Sequence, residues 1–272
     1  MSRMFTKRRA TAAAALVLSA ALLAACGGGP EEVIIVAGST SVQPYAELLA
    51  EEYEHLHPGR GIDIQGGGSS AGVTAARSGA ADIGMSSRAM GEDERDLKSF
   101  EIARDGLAMI AHPDNPVSDL TLEQVRDIYS EKISDWSEVG GVAARIHIIA
   151  REEGSGTRGA FEDLVMGDAV ITPRAIIQDS NGAIRQLVAG DPRSIGFISA
   201  GLVDETVKYL ELDGVAPTWR NLREGDYQLF RPFLFVTDGW PEGLAKEFID
   251  FTLSPDGQRV LIDEGLVSLM DN

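Results

Sequence analysis

The sequence predicts an α/β fold built on parallel sheets, arranged as two small lobes or one large domain. Two observations predict it. Strand-like apolar runs alternate with helical runs along most of the chain, and strands that alternate with helices return parallel to one another. About 240 residues remain once an N-terminal leader is set aside, a length that suits either arrangement.

The leader occupies residues 1–25. Arg3, Lys7, Arg8 and Arg9 form a basic start, and "ATAAAALVLSAALLAA" is an apolar run short for a bilayer span. It ends in "LAAC", where small residues precede Cys26, the only cysteine. That pattern reads as a lipoprotein signal, with Cys26 as the lipid-attachment site and residues 26–32 ("CGGGPEE") as a flexible tether.

The elements then follow in order. "EVIIVA" precedes the helical "PYAELLAEEYEHLH". "IDIQ" precedes "AGVTAARSG", and "ADIGM" precedes "GEDERDLKSF", read as a solvated helix face. "GLAMIAH" precedes "TLEQVRDIYS", "RIHIIA" precedes "TRGAFEDLVM", and "AIIQ" precedes "GAIRQLVAG". "HPDNP" at 112–116 is a sharp break. The tail returns to strand in "RPFLFVTDG" and ends in two helices, with Pro241 and Pro255 placed for first turns.

The net charge is −18, and the leader holds four basic residues and no acid, so the remainder is more negative still. A chain this acidic excludes nucleic acid as a partner, because phosphate backbones need a basic face. With Cys26 lipidated, no thiol is left for a disulfide.

Four strand-to-helix junctions carry the chemistry: "GSTSVQP" (38–44), "GGGSSAG" (66–72), "GMSSRAM" (84–90) and "REEGSGTR" (151–158). Ser and Thr hydroxyls, free N–H groups at helix starts and close backbone approach at Gly together bind anions without lysine. Ser, Thr and Gly are also ordinary N-caps. Four such loops at the carboxyl ends of parallel strands favour the ligand reading. Arg151 adds a planar fork suited to an oxyanion, while Glu152 or Glu153 can hold that fork in place.

Other motifs are weaker. "GSSAG" matches a nucleophile elbow with Ser70 as nucleophile, which would make a secreted serine hydrolase. That order needs a late histidine, and the last one is His147. "GGGSSA" fits a loose dinucleotide pattern but lies at a second strand. His55, His57, His112 and His147 show no metal spacing.

Those junctions, with "SNGAIRQLVAGDPRSIGFIS" and the late "RPFLFVTDG…FIDFTLSPDGQ", resemble the phosphate-binding lipoproteins of bacterial ABC importers, of the periplasmic-binding-protein type. The resemblance covers about residues 30–272, and its motifs are specific in combination and order. It implies a Venus-flytrap fold of two α/β lobes with one oxyanion dehydrated in the cleft between them. Lobe 1 would hold residues 33–112 and 231–272, and lobe 2 residues 113–230, with crossings near 110–115 and 220–235.

By the same resemblance, Thr40 and Ser41 match the first binding loop and Ser69 the second. Arg151, Ser155, Gly156 and Thr157 match the fourth, with Glu153 the acid beside the arginine. In the third loop many members place an aspartate that accepts the proton of hydrogen phosphate; here Ser87 stands there, before Arg88. A serine hydroxyl can accept, but without charge, so sulfate and molybdate remain alternatives to phosphate. The implied protein is a monomer with no catalytic activity, metal or cofactor. It would be lipid-anchored on the extracytoplasmic face, and its partners would be inorganic phosphate, the membrane and the permease subunits of the importer.

Overall fold

The structure is a computed structural model that describes residues 30–269. Cys26 and the leader lie outside the described residues. β1 (Glu32–Gly38), β2 (Arg60–Gly66) and β3 (Ile83–Ser86) are linked by α1 (Gln43–Leu56) and α2 (Ser69–Ser78). β4 (Lys98–Ala111) leads to β5 (Asp119–Leu120), α3 (Leu122–Tyr129) and β6 (His147–Arg151). Next come α4 (Gly156–Phe161), β7 (Ile176–Gln178), α5 (Asn181–Gly190) and β8 (Ser194–Ser199). Short strands β9 (Lys208–Tyr209) and β10 (Glu211–Leu212) and the helix α6 (Trp219–Glu224) precede β11 (Phe230–Thr237). The chain closes with α7 (Gly243–Leu253) and α8 (Pro255–Asp263).

The main sheet runs β2-β1-β3-β11-β4-β8-β6-β7, with β9 on β4. β1 lies parallel to β2 and β3, and β6 parallel to β7 and β8, as the alternation of strands and helices requires. β11 is antiparallel to β3 and β4, and β4 to β8, so the sheet is mixed. These antiparallel pairs involve the two strands that pass between cores. Ile102, Ala103, Phe233 and Phe235 pack with Val36, Leu49 and Phe248 in one core. Leu107, Met109 and Leu229 pack with Tyr129, Phe161 and Phe197 in the other. β4 changes core between Ala103 and Leu107, a few residues before the stretch near 110–115 where the resemblance places a crossing. Residues 112–116 instead form a turn beyond the strand end.

The segment 91–100 differs from the expected helix. One 3₁₀ turn, Glu92–Glu94, is followed after a three-residue turn by β4. Glu94 is buried and holds Arg88 through both carboxylate oxygens at 2.7 Å, while also accepting the Gly91 N–H. Pairing with β11 along Lys98–Asp105 then decides the strand. A local charge pattern carries no information about either partner.

Glycine sets how closely α2 approaches the sheet. A Cβ on Gly72 would lie 2.6 Å from Gly38 Cα and 2.8 Å from the Met85 carbonyl. The helix therefore rests directly on β1 and β3, which puts the Ser69 end of α2 over the ends of both strands.

Candidate functional site

The loops after β1, β2, β3 and β6 meet at one place, and α5 adds its first residue. Ser39, Ser41, Ser69, Ser87, Arg151, Ser155, Thr157 and Asn181 are all at most 4% exposed. Burying so many polar groups is costly unless each finds a partner.

α1 shows how the hydroxyls are freed. Its start has no side-chain cap at Val42. Ser39 serves instead, its oxygen accepting the N–H groups of Ser41 at 3.2 Å and Val42 at 3.4 Å. The side chains of Thr40 and Ser41 are thereby left for longer-range contacts. The Ser41 hydroxyl bonds that of Thr157 at 2.7 Å and accepts from the Asn181 amide at 2.9 Å. Ser155 does cap its helix, accepting the Arg158 N–H at 3.3 Å.

Arg151 is 1% exposed. Its Nε donates to Glu152 Oε2 at 2.8 Å and its Nη2 to Glu152 Oε1 at 2.9 Å, a two-point grip. Nη2 also reaches Thr40 Oγ1 and the Asp179 carbonyl, each at 3.1 Å. Nη1 is buried with no hydrogen-bond partner among the described residues. The acid beside Arg151 is thus Glu152, and Glu153, the expected supporter, is exposed. Arg151 ends β6 and the chain turns directly after it, with Glu152 folded back on the guanidinium.

Ser87 is fully buried. Its hydroxyl oxygen accepts from Ser39 Oγ at 2.9 Å, and its N–H donates to Ser69 Oγ at 3.0 Å. Behind it stands a residue that sequence reading passed over. Arg231, 2% exposed, donates to Asp105 Oδ2 through Nε at 3.1 Å and Nη2 at 2.9 Å. Its Nη1 lies 3.4 Å from Ser87 Oγ. Asp105 is equally buried, and its other oxygen accepts from Ser199 Oγ at 2.7 Å. Burial pushes the Asp105 carboxyl up, against the pull of Arg231, and pushes the Arg231 guanidinium down. An arginine stays protonated in proteins, so Asp105 is its counter-ion. The signal was present: an arginine and a proline inside the otherwise apolar "FRPFLFV" had no reason to be there as packing.

The cluster joins the two cores. Thr40 meets Arg151, Ser41 meets Thr157 and Asn181, and the Ser70 N–H donates to the Gly154 carbonyl at 3.1 Å. Gly156 faces Ser69 and Ser87 so closely that a Cβ there would lie 2.7 Å from Ser87 Oγ and nearer still to Ser69 Oγ. The structure therefore brings Thr40, Ser41, Ser69, Ser87, Arg151, Gly156 and Thr157 together, with Ser155 behind them as a cap. A cavity of about 420 Å³ opens beside the cluster, lined in part by Thr40, Gln43, Asn181 and Arg185.

Ser70 has a different setting. Its hydroxyl accepts from Arg88 Nη2 at 3.4 Å, and an arginine cannot take the proton that a nucleophilic serine must lose. Among the described residues no group of three His, Cys, Asp or Glu side chains could hold a metal ion.

Residues 19–256 match the PBP superfamily domain. The chain belongs to the PBP superfamily. Within it, a Clostridium perfringens protein solved with bound phosphate is 41% identical, with a TM-score of 0.84 over 87% of this chain and 99% of that one. An ABC-type phosphate transport receptor from Vibrio cholerae is 38% identical, with a TM-score of 0.73 over 86% and 99%. The phosphate-binding protein PstS of Bacillus subtilis is 32% identical over 241 residues, 86% of this chain and 80% of that protein. The superfamily fold is the two-core α/β arrangement described above.

Proposed function

We propose that this chain is a substrate-binding protein that captures inorganic phosphate for an ABC importer. One observation carries the reading. The buried Arg151 keeps an Nη1 with no partner among the described residues, and its Nη2 reaches Thr40 beside a group of buried hydroxyls contributed from both cores. A tetrahedral oxyanion supplies what that group lacks, namely several acceptors at one point. Hydrogen bonds to a charged group contribute about 1.5–3 kcal/mol each, enough to offset dehydration when several converge. The similarity to a protein solved with bound phosphate supports the choice of anion.

No bond is made or broken in this function. The anion would take up the hydrogen now shared between the Ser41 and Thr157 hydroxyls, and so hold the two lobes together. We assign lobe 1 to the core of β1, β2 and β3, and lobe 2 to that of β6 and β8. The hinge lies where β4 and β11 pass between the cores, near Asp105–Leu107 and Leu229–Arg231. Closure would present the surface that the permease subunits read. Isothermal titration with phosphate, sulfate and molybdate tests the reading: uptake of phosphate supports it, and failure to take up any of the three refutes it.

The lipid anchor belongs to the same proposal and rests on the "LAAC" sequence. A lipidated protein would act as a monomer on the extracytoplasmic face, its acidic surface clear of the membrane by the length of the tether. Among the described residues no helix is long and apolar enough to cross a membrane. Cys26→Ala should move the protein from the membrane to the soluble fraction with anion affinity unchanged. Retention of this variant in the membrane fraction would refute the anchor.

A further inference from the structure

The hydrogen-bond directions around Ser87 determine what its hydroxyl can offer. A hydroxyl has one hydrogen and two lone pairs. The Ser39 oxygen is taken by two backbone N–H groups, so its own hydrogen points to Ser87 Oγ at 2.9 Å. Arg231 Nη1 supplies the second donor at 3.4 Å. It is kept there because Asp105 holds the other two nitrogens of the same guanidinium. Both lone pairs are then engaged. The remaining hydrogen is left for the side facing Ser69 Oγ, at 3.4 Å, and Gly156 across the cleft.

We propose that Arg231, held by Asp105, is a specificity-determining residue of the anion site: it keeps the Ser87 hydroxyl a donor to the ligand and denies it the role of acceptor. The inference rests on the oxyanion reading above. It differs from the simplest expectation for the third loop, that Ser87 accepts the proton of hydrogen phosphate in place of an aspartate. Sulfate has no proton to place, so a donor at Ser87 serves both anions alike. The determinant of preference is therefore a residue nearly 150 positions along the chain from Ser87, at the crossing of β11.

The test is a titration of phosphate and sulfate into the wild type and the double variant Arg231→Met, Asp105→Asn. The double change removes the guanidinium and its counter-ion together, so no buried charge is left alone. Both affinities should fall, but one Ser87 lone pair is freed. The phosphate-to-sulfate affinity ratio should then rise about fivefold, the equivalent of one hydrogen bond of about 1 kcal/mol. Adding Ser87→Ala should return the ratio to its wild-type value, an outcome that a purely structural role for Arg231 would not produce. Arg231→Lys provides a second route should the double variant fail to fold. Its single ammonium can pair with Asp105 but has no second branch to reach Ser87, so the ratio should again rise. A folded variant with the wild-type ratio overturns the proposal. A wild type that takes up neither anion refutes the oxyanion reading itself, which is a separate result.

Discussion

Arg151 holds its position through Glu152, Thr40 and the Asp179 carbonyl, and these contacts leave Nη1 as its free donor. Arg151→Ala should weaken phosphate binding by well over tenfold, at least about 1.4 kcal/mol. Arg151→Lys should recover little, because a point charge cannot both pair with Glu152 and face the ligand. Titration calorimetry reads both, and near-wild-type affinity in Arg151→Ala would remove this arginine from the site. The two neighbouring acids should separate cleanly in the same assay. Glu152→Ala frees the guanidinium from its grip and should lower affinity several-fold through lost positioning, despite removing a negative charge. Glu153→Ala, at an exposed position, should leave affinity within experimental error. The reverse order would mean that Glu153 is the supporting residue after all.

α4 is short, yet its first residue governs how near the two lobes can come. Gly156 lies against Ser69 and Ser87, at the tips of α2 and β3. Gly→Ala in a helix ordinarily gains up to about 1 kcal/mol, so on local grounds Gly156→Ala should stabilise. The cross-cleft clash opposes this only where the lobes meet. The variant should therefore keep or slightly raise its melting temperature without ligand, while losing at least tenfold in phosphate affinity. A parallel thermal melt and titration distinguish the two effects. An unchanged affinity would show that the lobes need not approach this closely when the anion binds.

On the scale of the molecule, the second core depends on a buttress where β6 and β8 begin. Asp191 accepts from the Arg193 N–H, Arg193 Nε and Ser194 Oγ, and contacts His147 Nδ1 at 2.5 Å. Burial, the largest influence, pushes its carboxyl up, but the hydrogen bonds from Arg193 and His147 outweigh it and hold the carboxyl down at about 2. A carboxylate held low contributes stability that is complete above its ordinary value near 3.9 and is lost as pH falls through the folded value. The wild type should thus lose thermal stability between about pH 4 and pH 2, and Asp191→Asn should show a smaller loss over that window. Circular dichroism melts across the range check it. Equal slopes in both proteins would mean that other carboxylates carry the acid dependence.

Much of this protein was legible before any coordinates. Alternation of apolar and helical runs made the α/β class and the presence of parallel sheet readable, because both depend on local periodicity, but not the antiparallel placing of β4 and β11. The hydroxyl-rich loops and Arg151 stood out for the same reason, as a strand end followed by small polar residues is a local pattern. What only the tertiary structure decided involves partners distant in sequence. Glu152 rather than Glu153 grips Arg151 because of the direction in which the chain leaves β6. Residues 98–100 become strand because β11 lies beside them, against a local charge pattern over 91–100 that reads as helix. Ser87 is buried against Ser39, Ser69 and Arg231, and on the proposal above Ser39 and Arg231 set whether its hydroxyl gives or accepts. Arg231 is in turn held by Asp105, which donates nothing to local pattern. A sequence states which donors and acceptors exist, but the direction of each hydrogen bond follows from which lone pairs the fold has already filled.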